Sequence, residues 1–419
     1  MPIYDIDGNK IASEGESILS SPNLPYHFAF NAGKSGTERP SCSALFITDI
    51  HGDTERFKRF LSLANCGRDR NDYASSNIAF DIAICGGDII HNNATETDNN
   101  LFEGIAHGGV SWYRELLSSF KLPLLTTVGN HDCGWTSTTE SYTTEEVYNK
   151  YTKGTDLQNN NSLPYGYYDD TTHKIRFIVL YDFDSGIVEY AKNQGTTSLV
   201  AKRGFAKIYG QAQINWLIST LNSVPSGFGV VVVGHTMQLF KNVEVLSGFS
   251  DPSTTSTMNI LARESYSAQT RTSGTTEGII ADIIKAYIDR STLSATYEYT
   301  GNNWWSSSIS IIPDVNVSAD FTNANGTFMC YLCGHFHRDG VFRCTTQGYT
   351  NQVMVMLTAG TIEQSQHGDS LPRVIDTEVQ DCLLALVFDV TNQIVRITKI
   401  GSSLANDGVN RVHFDVDVS

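Results

Sequence analysis

The stretch Leu45-Phe46-Ile47-Thr48-Asp49-Ile50-His51-Gly52-Asp53 decides how this chain is read. An apolar run this short is not a helix, and its aliphatic and aromatic residues fit a strand buried on both faces. It ends abruptly in an acid, an imidazole and a glycine. The same pattern recurs four times. Ile82-Ala83-Ile84-Cys85 runs into Gly86-Gly87-Asp88, and Leu124-Leu125-Thr126-Thr127-Val128 runs into Gly129-Asn130-His131-Asp132. Val230-Val231-Val232-Val233 meets Gly234-His235, and Met329-Cys330-Tyr331-Leu332-Cys333 meets Gly334-His335-Phe336-His337.

The rest of the chain supports this reading. Strands are expected at Ala44–Thr48, Ile78–Cys85, Pro123–Val128, Ile175–Tyr181, Gly229–Val233, Thr327–Cys333 and Val353–Leu357. Between them lie stripes with helical spacing: Phe57, Phe60, Leu61 and Ala64; Tyr113, Leu116, Leu117 and Phe120. Two more are Ile214, Leu217, Ile218 and Leu221, then Ile280, Ile283, Ile284 and Tyr287. Strand–helix alternation of this kind predicts an α/β layered fold. Three regions interrupt it. Residues 1–40 carry a hairpin-like turn around Asp7-Gly8-Asn9, residues 134–174 read as a long loop with one helical turn, and residues 240–326 read as a polar insertion around one helix and Trp304-Trp305. The tail, 361–419, is a β-rich extension expected to pack on the 41–360 domain, with a hairpin turning at Thr391-Asn392.

In open α/β sheets, ligands bind beyond the carboxyl ends of strands. Five strands therefore deliver Asp, Asn and His to one sheet edge. Those donors suit divalent transition metals, and two ions need roughly six to eight of them. In an extended Asp-x-His or His-x-His unit both side chains share a face and can serve one cluster. A single Gly-His or Gly-Asp is an ordinary turn or helix cap; five in succession, using five of the eleven histidines, are not.

Asp49-x-His51, Gly87-Asp88, Gly129-Asn130-His131-Asp132, Gly234-His235 and Gly334-His335-x-His337 resemble the five signature blocks of the calcineurin-like metallophosphoesterase superfamily. Gln211-x-x-x-Asn215-Trp216-Leu217 resembles the helix common before its Gly-His strand. The resemblance implies two β-sheets packed face to face with helices outside, in four αββα layers. It also implies a dinuclear centre of manganese, iron or zinc. Asp49, His51, Asp88 and His337 would bind the first metal; Asp88 would bridge to a second, completed by Asn130, His235 and His335. A bridging hydroxide would attack phosphorus in line, His131 would protonate the leaving group, and Asp132 would orient His131. Asn92 and Arg338, which follow the Asp88 and His337 motifs, and Asp182 and Asp184, which end the Ile175–Tyr181 strand at the same sheet edge, are further expected near the substrate.

Composition narrows the alternatives. With 419 residues, 40 % apolar and 18 % charged, the chain has the length and composition of a folded globule, and disorder, collagen and coiled coil are excluded. Twenty-nine basic against 45 acidic residues leave a net charge of −16, a poor surface for nucleic acid or anionic lipid except where metals reverse the local field. No run reaches the roughly 18–20 apolar residues of a membrane helix. No signal peptide is seen, and the eight scattered cysteines read as buried free thiols, so a cytoplasmic location is expected. Cys330 and Cys333 sit three apart in a strand, which points them to opposite faces.

The expected partner is a small phosphorylated substrate, a phosphodiester or nucleotide in preference to a phosphoprotein. Asp132 stands where the protein Ser/Thr phosphatases carry Glu, and Cys133-Gly134-Trp135 follow in place of phosphate-gripping arginines. A non-catalytic docking module, a Ser/Thr phosphatase and a DNA exonuclease remain as alternatives. Sequence leaves the oligomeric state open.

Overall fold

The computed structural model describes residues 3–4, 10–12, 41–65, 80–90, 101–102, 105–106, 109–133, 142–159, 161–195, 207–238, 243–248, 269–272, 278–299, 312–335, 340–344, 354–358, 382–401 and 413–418. Period-two burial builds two sheets from these segments. In the first, Cys42–Ile47, Ile82–Cys85 and Leu124–Thr126 run parallel. In the second, Ile175–Val179, Gly229–Val233, Thr327–Cys333 and Met354–Thr358 run parallel.

The sheets face one another. Ala44, Phe46, Ile84 and Leu125 from the first pack with Phe177, Val179, Val231, Val233, Cys330 and Leu332 from the second. The alternate residues face outward. Leu45, Ile47, Ala83 and Cys85 meet the helices Thr54–Ala64 and Val110–Leu117. Ile178, Val230, Val232, Tyr331 and Cys333 meet Gln211–Asn222 and Ile279–Ile288. The fold is a four-layer αββα sandwich, and the four helical stripes read from the sequence mark the inward faces of these four helices, except that Leu63 takes the core position read for Leu61 and Phe120 packs from beyond its helix's end. Cys330 and Cys333 do fall in opposite layers, and the five described cysteines with placed side chains are buried free thiols.

Two regions carry more structure than their composition predicts. Residues 134–174, read as a loop with one helical turn, contain that turn at Thr144–Val147 and beyond it a π-helical extension, Tyr148–Thr152, and strands at Gln158–Asn159 and Gly166–Asp170. The signal was present: Thr143 and Glu146 form a reciprocal capping box. In the insertion, Gln269–Arg271, Thr292–Tyr299 and Val315–Asp320 form a three-stranded antiparallel sheet. Val315, Val317 and Ala319 alternate into the outer core beside Ile283 and Tyr287, so the described part of the insertion is packed. Trp304 and Trp305 lie outside the described residues.

The C-terminal strands are built into the first sheet. Cys382–Asp389 pairs antiparallel with Cys42–Ile47, then with Ile394–Gly401, which pairs with His413–Asp417. The turn after Asp389 is closed by its carboxylate, which accepts from the Asn392 backbone and side-chain N–H groups at 3.0 and 2.9 Å. Without these strands, Cys42–Ile47 would be an open sheet edge. At the other terminus, Ile3–Tyr4 pairs antiparallel with Lys10–Ala12, as the hairpin-like reading predicts.

Candidate metal centre

The five motif-bearing strands belong to two sheets. Asp49, Asp88 and Asn130 follow strands of the first, and His235 and His335 follow strands of the second. The centre therefore lies where the carboxyl ends of both sets of parallel strands converge.

Backbone ladders continue past the strands and lock the loops together. Asp49 N–H donates to Gly87 O, His51 N–H to Asp88 O, and Gly52 N–H to Ile89 O, at 2.9, 2.8 and 2.7 Å. On the second sheet, Gly334 N–H donates to His235 O at 2.8 Å. Turning this sharply forces unusual dihedrals. Asp49, His51, Asp88 and His335 have φ of 55°, 49°, 49° and 75°. Left-handed backbone is tolerated by Asp and His better than by most residues, yet it is costly and persists where the surroundings enforce it. Close approach excludes side chains at two glycines. A Cβ on Gly129 would overlap Asp88 Oδ1, and one on Gly334 would overlap Thr48 Oγ1 and Asp49 Oδ2.

Asp88 is central. Its Oδ1 accepts from His131 N–H at 2.9 Å. Its Oδ2 is buried and accepts no hydrogen bond, although it lies 3.2 Å from His235 Nε2 and 3.6 Å from His51 Nε2. Two groups of donor atoms, His51 with Asp88 and His131, and Asp88 with His235 and His335, each lie within 4.8 Å. Asp88 is common to both. Asn130 Oδ1 sits between His335 Nδ1 at 2.8 Å and His235 Nε2 at 3.1 Å. His235 Nδ1 is 2.8 Å from Gly86 O, which assigns the proton to Nδ1 and turns the Nε2 lone pair inward.

These donors fit two cations sharing Asp88. A buried carboxylate oxygen without a hydrogen bond, among inward imidazole nitrogens, is a surplus of lone pairs that a cation satisfies. Asp49 belongs to the same buried centre: both its oxygens accept from His335 N–H, at 3.0 and 2.9 Å, and Oδ2 accepts from Thr48 Oγ1 at 2.8 Å. Burial pushes the Asp49 carboxyl up to about 7, with His235 opposing and the Asp88 charge adding. Burial alone would also raise Asp88, but the imidazoles of His235 and His131 hold it below the carboxylate range. His235 is pushed up to about 10, Asp88 outweighing burial, so without cations a second proton occupies Nε2, the position a bound cation would take instead. His335 is pushed down to about 3 by burial and by His235.

His131 begins a short 3₁₀ turn, His131–Cys133, and its ring meets His51 edge-on at 4.5 Å. It is partly exposed, whereas the other described residues of the centre, His335 apart, are buried. Asp132 differs from expectation. Its Oδ1 accepts from the backbone N–H groups of Ile89 and Ile90 at 3.0 and 3.1 Å, and its Oδ2 from Gly129 N–H at 2.9 Å. Both oxygens are thus occupied in tying the Asp88 loop to the Asn130 loop, and Asp132 supports His131 through the backbone in place of its ring. Burial and the Asp88 charge push Asp132 up to about 7.

Asp182 also differs from expectation. Its carboxylate is fully buried and accepts from Tyr209 Oη at 2.9 Å and from Thr236 N–H and Oγ1 at 2.6 Å each. It anchors the residue after His235, where it cannot touch substrate. Asp184 is half-buried, 3.4 Å from Gln213 Nε2 beside helix Gln211–Asn222. Asn92, His337 and Arg338 lie outside the described residues.

Comparison with known proteins gives one positive finding. Residues 43–239 match the family model of the calcineurin-like phosphoesterases. This segment is a calcineurin-like phosphoesterase domain. The match contains Asp49, His51, Asp88, Asn130, His131 and His235 and ends before the Gly334-His335 block. Such a domain points to metal-dependent phosphoester hydrolysis, although some family members are non-catalytic. A search of the curated proteins gave no match to the chain.

Proposed function

We propose that this chain is a dinuclear metallophosphoesterase that hydrolyses a small phosphodiester or nucleotide. The observation that carries the reading is the Asp88 carboxylate, gathered with His51 in one group of donors and with His235 and His335 in another, with one buried oxygen accepting no hydrogen bond. Asp49, His51, Asp88 and His337 would hold one cation, and Asp88, Asn130, His235 and His335 the other. The bound pair supplies Lewis acidity for phosphoryl oxygens and lowers the pKa of water. Manganese, iron and zinc all suit the donors.

The protein's own residues do the rest. The Gly86 carbonyl fixes the His235 tautomer, and His131 N–H turns Asp88 so that Oδ2 faces the imidazoles. His131, half in solvent beside His51, is placed to give its proton to the departing alkoxide. Asp132 holds the His131 turn against the Asp88 loop. The preference for a diester or nucleotide rests on Asp132-Cys133-Gly134-Trp135, which supplies no arginine after His131. A reducing, cytoplasmic setting is favoured by buried free thiols. No described helix is long and apolar enough to cross a membrane.

His131→Ala separates catalysis from a metal-binding scaffold. Turnover of bis-p-nitrophenyl phosphate should fall about 10²–10⁴-fold with metal content unchanged. Unchanged turnover would remove His131 from the reaction.

A further inference from the structure

A second cluster of unlike donors lies at the opposite end of the sandwich. Cys42 opens the strand that leads to Asp49, and Asp81 directly precedes the strand that leads to Asp88. Asp170 closes Gly166–Asp170, and His173 lies in the turn before Ile175–Val179. The six-residue strand from Cys42 sets this cluster about 20 Å from the candidate centre.

Cys42 Sγ, an Asp81 oxygen and a His173 nitrogen lie within 4.8 Å of one another. Asp170 joins them: its Oδ2 is 2.6 Å from His173 Nδ1, and its carboxylate hydrogen-bonds with the Cys42 thiol. Cys42 is fully buried and His173 is 9 % exposed. The carboxylates are themselves held. Ser43 N–H and Oγ both donate to Asp81 Oδ2 at 2.8 Å, and the N–H groups of Thr172 and His173 donate to Asp170 Oδ1 at 3.0 and 3.1 Å. Carboxylates that bind metals are themselves held by hydrogen bonds of this kind.

We propose that Cys42, Asp81, Asp170 and His173 form a structural site for a zinc-class transition cation that clips the two sheets together. Cys42 lies in a strand of the first sheet and Asp81 just before another, while Asp170 ends a strand of the second and His173 lies in the turn that follows it, so one ion would bridge the two sheets. A sulfur, an imidazole nitrogen and carboxylate oxygens suit zinc and its neighbours; calcium and magnesium take oxygen. On binding, Sγ gives its proton to solvent and forms the metal–thiolate bond, with no redox change. The described donors of the candidate centre include no thiol, so loss of a sulfur-ligation signal in Cys42→Ser assigns it to this site.

Titration with Co²⁺, read by near-ultraviolet absorption, is the test. A thiolate-to-cobalt charge-transfer band is expected, displaced by Zn²⁺, lost in Cys42→Ser and retained in Asp88→Asn. His173→Ala should weaken Co²⁺ binding roughly ten- to hundredfold. No band in the wild-type protein would overturn the proposal, whatever the variants do. So would a band that persists in Cys42→Ser, or one that vanishes in Asp88→Asn. The band is independent of turnover, so a chain that hydrolyses no phosphate ester could still pass this test, and an active enzyme could fail it.

Discussion

Replacing Asp132 tests how the centre is held. Alanine would leave the N–H groups of Ile89, Ile90 and Gly129, which now donate at 3.0, 3.1 and 2.9 Å, without their acceptor. An orphaned buried donor costs about 1–3 kcal/mol, so three bracket about 3–9 kcal/mol. Water entering the space of the lost carboxylate moves the result toward the lower end, to about 3–5 kcal/mol. Asparagine keeps one oxygen for Ile89 and Ile90 but turns an NH₂ toward Gly129 N–H, at a cost of about 1–3 kcal/mol. Removing the charge offsets part of this, because Asp132 is destabilised beside Asp88 and pushed up to about 7. Urea unfolding of the metal-free wild-type, Asp132→Asn and Asp132→Ala proteins should rank them in that order, with similar m-values. An alanine variant within about 1 kcal/mol of wild type would refute the backbone-tie assignment. So would unchanged stability with a shift confined to the His131 pH profile, since Asp132 would then act on the ring.

Two further outcomes follow from the same geometry. Gly129→Ala places a Cβ against Asp88 Oδ1, so Mn²⁺ affinity by calorimetry should fall roughly ten- to hundredfold; unchanged affinity would mean Asp88 can move freely. The metal-free protein should lose stability as pH rises from 6.5 toward 10. His235 has a folded value of about 10 against an ordinary 6.5, so its contribution is complete below 6.5 and lost through 10. Saturating Mn²⁺ should abolish that slope in thermal melts, and a slope unchanged by metal would contradict the placement of His235.

Much of the fold was legible because its signals are local. Alternation marks Phe177 and Val179 for one layer and Ile178 for the other, and each polar motif begins within three residues of a strand's end. The features that escaped are non-local. Nothing near Cys42–Ile47 indicates that Cys382–Asp389 pairs beside it. Asp132 stands next to a motif histidine and Asp182 ends a strand at the same sheet edge, so position marked them for chemistry; their acceptor roles depend on Ile89, Gly129, Tyr209 and Thr236. Residue type permitted the left-handed backbone of Asp49, His51, Asp88 and His335 but did not announce it. His173 showed no constellation in sequence because Cys42 and Asp81 reach it only through sheet packing.

The central claim is that the centre gathered around Asp88 hydrolyses phosphate esters, and Asp88→Asn tests it most directly. Wild-type and variant proteins are loaded with Mn²⁺ and assayed on p-nitrophenyl phosphate, bis-p-nitrophenyl phosphate and a nucleotide panel. Wild type should hydrolyse at least one of these in a metal-dependent manner, and Asp88→Asn should lose at least roughly a hundredfold in turnover. Equal rates in the two proteins, or no hydrolysis by metal-loaded wild type, would contradict the claim.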